Sequence, residues 1–233
     1  LSQRTAHKAI KLAKKSTAST RRATATNIAR IQEAIRDLSG VAPMEKSIWE
    51  DLGREGLSRN TRNFLWKGIH GAHKVGEYFE KMPEPWKSYG RCKSCEVPES
   101  LEHILTQCPD SGQEVIWSLV AKLLEKKNIS FSPEFGLILG CCSVHPSGIA
   151  SSDRLFKIAV SESAFLAWKI RCTFRIEHDS DPARRMTAKE VASRWEKVLQ
   201  TRMEQDLATE RYKSLRGRRP QKGLARGTWR DVT

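Results

Sequence analysis

The sequence predicts a mainly α, irregular multi-helix domain with a compact cysteine/histidine knuckle inserted in it and basic, partly disordered ends. Three observations carry that expectation. Apolar residues recur at spacings of three and four along most of the chain, with no convincing strand pair and no internal repeat. Three cysteines and a histidine gather in RCKSCEVPESLEHILTQC, residues 91–108 of a chain with only six cysteines. The net charge of +14 is also unevenly placed: residues 1–40 hold nine Lys/Arg against two Asp/Glu, residues 211–233 hold eight against one, and residues 41–210 are neutral. The expected order is a basic arm over 1–24, N-terminal helices over 25–82, the knuckle over 83–110, C-terminal helices over 111–216 and a basic tail over 217–233.

Residues 11–26, rich in Lys, Arg, Ser, Thr and Ala, show no apolar stripe and read as a mobile basic arm. In TNIARIQEAIRDLSG the residues Ile28, Ile31, Ile35 and Leu38 share one helical face, and Gly40 suits a helix C-terminus. A second helix is expected to open near Pro43 and run through Ile48, Trp49 and Leu52; a third opens at Ser58 and carries Phe64, Leu65, Trp66 and Ile69. MPEPWKSYG, residues 82–90, is a turn-rich connection into the cysteines. Beyond them, Ile116, Leu119, Val120, Leu123 and Leu124 make residues 112–126 an amphipathic helix. Residues 153–176 are apolar nearly all round, which predicts a central, buried helix. Thr187 and Glu190 form a capping box that opens a long helix reaching toward Leu215. After Gly217 the tail, with Arg218, Arg219, Pro220, Gly223 and Gly227, is expected to be disordered unless bound.

Cys92 and Cys95 stand two residues apart, the spacing at which a tight turn aims two thiolates at one ion. With His103 and Cys108 the pattern is C-x2-C-x7-H-x4-C, a complete tetrahedral set for Zn2+. Four protein ligands leave no open coordination position, so the expected metal is structural. At 233 residues and 39% hydrophobic, the chain can bury a core of its own, and zinc would staple that domain without being its only support. Pro98, Glu99 and Ser100 suit a helix start that presents His103, and Pro109 suits its end after Cys108; Arg91 and Lys93 are expected to favour thiolates. The competing reading makes the three cysteines buried hydrophobes and His103 an ordinary helical residue. A zinc deaminase is excluded by order, since that chemistry needs H-x-E ahead of the cysteine pair, whereas here the pair comes first and Ile104 and Leu105 follow His103.

Cys141, Cys142 and Cys172 lack spaced partners and read as core thiols. His70 and His73 can share a helix face, but without a nearby acid or thiol they read as packing or surface residues. The two basic ends on a neutral body point to a polyanion such as RNA or DNA, although solvated tails would look the same. Trp86, Tyr89, Arg91 and Lys93 at the knuckle, with Arg218, Arg219 and Lys222 in the tail, are the candidate contacts; the two aromatic residues serve equally well as a hydrophobic lid on the knuckle. No apolar run approaches the about 18 residues of a membrane span, and no hydrophobic signal segment follows the basic start. These features predict a reducing nuclear or cytoplasmic compartment, not secretion.

The cluster and its flanks, FLWKGIHGAHKVG, CKSC and ESLEHILTQC, resemble the reverse-transcriptase zinc-binding region at the C-terminus of non-LTR (LINE-like) retrotransposon polyproteins, particularly the fungal type. LSQRTAHKAIK, SRNTRNFLWKGIHGA, IWSLVAKLLEKKNI, GLILGC and RLFKIAVSESAFLAWKIRC extend the resemblance over most of the chain. It implies that Cys92, Cys95, His103 and Cys108 are the zinc ligands and that the parent polyprotein carries a reverse transcriptase, often with RNase H, ahead of this region. Neither a Tyr-x-Asp-Asp motif nor spaced acids suited to a magnesium site occur here, and the chain opens on Leu1, as a C-terminal fragment or degenerate copy would. The expected function is therefore a non-catalytic, zinc-stabilised nucleic-acid-binding accessory module. The alternative is a structural module that docks on the polymerase or another protein. An enzyme is not expected, because no phosphate loop or other reaction centre is recognisable.

Overall fold

The computed structural model describes residues 2–17, 21–54, 56–215 and 223–232. Among these, the helices are α1 (Gln3–Thr17), α2 (Arg22–Ser39), α3 (Glu45–Gly53), α4 (Arg59–Ile69), α5 (Glu77–Glu80), α6 (Leu101–Thr106), α7 (Gln113–Glu125), α8 (Phe135–Leu139), α9 (Ala150–Cys172), α10 (Ala188–Leu215) and α11 (Leu224–Trp229). The only β-pairing among the described residues is one bridge, Arg91 with Pro98. None of the described helices is long and apolar enough to cross a membrane. The mainly α, multi-helix fold with its Cys/His cluster is the one the periodicity predicts.

Helix α9 is the axis of the packing. Leu155, Ile158, Ala159, Val160, Ala164 and Ala167 are fully buried on it, and it touches α4, α6, α7, α8, α10 and α11. Its alanines and serines bring these neighbours close, and its large apolar residues each stabilise the core by about 1.5–3 kcal/mol on burial. Ser163 accepts a 2.8 Å hydrogen bond from the indole of buried Trp195 on α10. The expected capping box holds α10 at its start: Thr187 Oγ1 accepts from the Glu190 amide at 3.3 Å, and Glu190 Oε2 accepts from the Thr187 amide at 2.8 Å. Ser58 caps α4 by accepting from the Thr61 amide at 3.1 Å.

The apolar run after Phe135 forms a short buried helix that crosses α2 with backbones nearly touching. A Cβ on Gly136 would lie 2.5 Å from the Arg30 carbonyl oxygen, so no larger residue fits there without separating the two helices. Cys141 and Cys142 follow this crossing and are buried, while Cys172 on α9 is half-buried.

Several expectations need correction. Residues 11–26, read as an arm without structure, include the end of α1 and the first turn of α2, whose Thr24 is buried. Alanine and long basic residues are strong helix formers, and the small apolar face of α1, Ala6, Ala9, Ile10 and Ala13, lies mostly ahead of residue 11. The helix expected near Pro43 begins at Glu45, because Met44 is extended and Pro43 instead gives its carbonyl to the Gln32 amide at 2.9 Å. The tail also differs from the expected disorder over residues 223–232. There α11 docks on the core with Ala225, Trp229 and Val232 buried, and Trp229 donates to Asp206 at 2.9 Å. One tryptophan buries enough surface to outweigh the glycines around it.

Candidate metal centre

Residues 90–99 form a tight loop held by its own backbone. The Cys92 amide donates to Val97 O at 2.9 Å, the Glu96 amide to Cys92 O at 2.9 Å, and the Glu99 amide to Gly90 O at 2.9 Å. Glu96 takes the left-handed conformation, φ 56°, that turns the chain back after Cys95. Gly76, at φ 51°, lies under this loop, where a Cβ would fall 2.1 Å from Glu99 O. Ser100 then caps α6, accepting from the His103 amide at 3.0 Å, and the Cys108 amide closes the helix end on His103 O at 2.7 Å.

These two local structures bring Cys92, Cys95, His103 and Cys108 together, with one ligand atom from each and all four atoms within 4.8 Å of one another. No other group of three or more His, Cys, Asp or Glu residues suited to a metal is found among the described residues. Cys92 and Cys108 sulfurs lie 3.7 Å apart. A disulfide would need about 2.05 Å; two thiolates on a tetrahedral zinc with Zn–S bonds of about 2.3 Å stand roughly 3.8 Å apart. The spacing is that of co-ligands.

His103 is buried, and its Nδ1 lies 3.3 Å from Gln107 Oε1, an acceptor that places the ring proton on Nδ1. Nε2 is buried with no hydrogen-bond partner, an arrangement that costs about 1–3 kcal/mol unless something else accepts its lone pair. A metal ion fits that need. The backbone amides of Ser94 and Cys95 point at the Cys92 sulfur and that of Asp110 at the Cys108 sulfur.

The thiols are mutually antagonistic without a cation. A hydrogen bond from Cys108 brings the Cys92 thiol down to about 4, against the opposing effect of burial. The same bond, followed by burial, pushes the Cys108 thiol well up. Burial and then the Cys92 charge raise Cys95. One thiolate thus opposes the next, and a divalent cation reverses the sign of that interaction. The causes found at Cys92 are its neighbours in the cluster, whereas Arg91 and Lys93 were expected to supply them.

The predicted nucleic-acid residues at the knuckle are placed differently from one another. Lys93 Nζ pairs with Asp179 at 2.8 Å and also reaches its carbonyl at 3.0 Å. Arg91 is exposed and donates to Glu96 O in its own loop. Tyr89 is half-buried under the Arg175 guanidinium, which lies 4.6 Å from its ring centroid. Trp86 is 52% exposed at the outer edge of that aromatic group. Arg218, Arg219 and Lys222 lie outside the described residues. His70 and His73 stay away from the thiols: His70 stacks on Trp49 at 5.0 Å, and His73 sits between Phe64 and Trp168.

Sequence reading missed the supports of the cluster. Gln107 stands four residues after His103, a spacing that on a helix places it beside the ring. Asp110 is paired with Arg185 at 2.7 Å, and Glu99 with Arg171 across 72 positions of sequence, which no local pattern announces. No family model, curated protein or solved structure matches this chain.

Proposed function

We propose that the chain is a zinc-stabilised, non-catalytic module that binds nucleic acid, of the kind that closes non-LTR retrotransposon polyproteins behind their reverse transcriptase. The observation that carries the reading is the convergence of three thiols and one buried, unpartnered imidazole nitrogen within 4.8 Å. Cys92, Cys95, Cys108 and His103 Nε2 would hold the ion, and Gln107 would orient the ring. Bound zinc would neutralise the thiolates and tie the 90–99 loop to α6. A full set of four protein donors leaves it no position for substrate.

Nucleic acid is favoured as partner by the +14 charge and its concentration at both ends of the sequence. Reduced thiols poised for a metal suit a nuclear or cytoplasmic setting. The test is metal content per chain together with anisotropy of labelled oligonucleotides between 50 and 300 mM KCl. The expected result is one zinc per chain, lost in Cys95→Ser with His103→Ala, and binding that weakens steeply with salt. A chain that takes up no zinc and ignores oligonucleotides at the lowest salt would overturn the reading.

A docking module is the second reading, favoured by the exposed apolar group Leu38, Val41 and Met44 at the α2–α3 turn. Val41→Asp with Met44→Asp would abolish docking on a polymerase while leaving oligonucleotide binding unchanged.

A further inference from the structure

Away from the knuckle, α4 and α9 enclose an open cleft of about 340 Å³, at the lower end of ligand-pocket sizes. Phe64, Phe165 and Trp168 form its aromatic wall, with ring centroids of Phe64 5.5 Å from Phe165 and 6.2 Å from Trp168. His73 completes the wall, 4.5 Å from Trp168, its Nε2 3.0 Å from Phe64 O. Burial lowers the pKa of His73, so it offers a neutral ring near neutral pH. Asn60, Asn63, Lys67 and Lys74 stand exposed on the rim. The side-chain amides of Asn60 and Asn63 make no hydrogen bond among the described residues.

A second cleft of about 510 Å³ runs between α9 and α10 and is lined by Lys169, Arg194, Lys197 and Arg202. The two clefts share no lining residue, but sequence neighbours line both. Ser58 and Asn60, at the start of α4, line one each, as do Lys169 and its neighbour Trp168 on α9. Lys169 bends back over Phe165, its Nζ 5.0 Å from the ring centroid. Glu162 is the one acid lining this second cleft, and burial raises its pKa toward the uncharged form. An aromatic wall with solvent-facing amides at its rim, followed by a row of cations, matches a base and the phosphates that flank it.

We propose that a single-stranded nucleic acid crosses this face, one unstacked base lying against Phe165 and Trp168, which Phe64 backs from the core, while the adjoining phosphates pass Lys67 and Lys169 toward Arg194 and Lys197. The inference rests on the nucleic-acid reading above and gives it a surface, one separate from the knuckle. A duplex does not fit the same description, because its bases are already stacked on one another and present no free face to the aromatic wall.

The test uses the full zinc-loaded chain with fluorescein-labelled U12 and dT12, which separate RNA from DNA as the source of the base. Each is also made with one 4-thio base for photocrosslinking. Trp168→Leu is expected to weaken binding by about tenfold or more. Lys67→Gln with Lys169→Gln is expected to reduce the slope of log affinity against log salt by about 1.4, the contribution of two single-strand phosphates. Crosslinks are expected in residues 59–74 and 165–169. Should Trp168→Leu lower the melting temperature and unfold the chain, the lysine pair and the crosslink map decide. Salt-sensitive binding with crosslinks confined to the knuckle or the terminal basic segments, and with the lysine pair unchanged, would refute this surface and leave the nucleic-acid reading standing. Absence of binding by either oligonucleotide would sink both.

Discussion

Arg171 on α9 and Glu99 beside the knuckle form an ion pair inside the protein: Nη2 lies 2.5 Å and Nε 3.1 Å from Glu99 Oε2, with side chains 7% and 2% exposed. The second carboxylate oxygen, Oε1, is buried without a partner. This pair fastens the segment between the two halves of the Cys/His cluster to the central helix of the fold. Breaking one side leaves a bare charge in the interior, so Arg171→Leu should lower unfolding free energy by about 3–5 kcal/mol. Replacing both, Arg171→Leu with Glu99→Leu, should recover much of the loss. Urea titration of the single and double variants measures it; equal stability of the original and Arg171→Leu would mean the pair contributes nothing.

Gln107 touches no predicted ligand atom except through His103 Nδ1, so its effect separates positioning from ligation. Gln107→Ala should keep one zinc per chain but weaken its hold about 10–100-fold, read by competition with a chelator. His103→Ala should lose the ion outright. If Gln107→Ala matches the original in chelator competition, the ring is oriented by packing alone.

Two buried acids predict opposite pH dependence. At Asp206 burial opposes ionisation, but hydrogen bonds from Arg154 and Trp229 and the charges of Arg154 and Arg202 outweigh it and hold the pKa below 3.8. A depressed folded pKa contributes stability that is present above the unfolded value and lost as pH falls through the folded one. At Glu162 burial dominates and raises the pKa above 4.5, against a hydrogen bond from Thr61 and the charges of Arg202 and Lys169. Its contribution is intact below about pH 4.5 and declines as pH rises through the folded value. Asp206→Asn should therefore lower the melting temperature at pH 7 and matter least at pH 2.5, whereas Glu162→Gln should raise it at pH 7 and change little at pH 4. Parallel melting curves of original and variants across that range would contradict the assignment.

Trp229 joins the end of the described chain to α9 and α10 through Asp206, and Thr228 accepts from Arg154 at 3.3 Å. Trp229→Ala should cost about 3–5 kcal/mol, because it leaves a cavity and removes a donor from a buried carboxylate. Hydrogen exchange of residues 223–232 follows the undocking directly. Unchanged protection there would show that α11 is held by other contacts.

What was legible in the sequence is what short spacing encodes. Ile28, Ile31 and Ile35 sit on one face because a helix repeats every 3.6 residues, and Thr187 caps with Glu190 because three positions close one turn. Cys92, Cys95, His103 and Cys108 were legible as a set for the same reason: a turn and one short helix place all four within sixteen positions of chain. Stripes failed where the apolar residues are mostly alanine, as in α1 with Ala6, Ala9, Ile10 and Ala13, and where one large residue decides, as with Trp229.

The sequence by itself determined the helical class, the faces of the main striped helices and the membership of the Cys/His cluster, since each depends on backbone geometry between near neighbours. Tertiary structure alone decided which charges are available. Lys93, read as a phosphate contact, is bound to Asp179 across 86 positions, while Phe165 and Trp168, read as core, open onto a cleft with Lys67 and Lys74 on its rim. Availability depends on what lies within a few ångströms in space, and residues a hundred positions apart reach that distance only after the helices have packed.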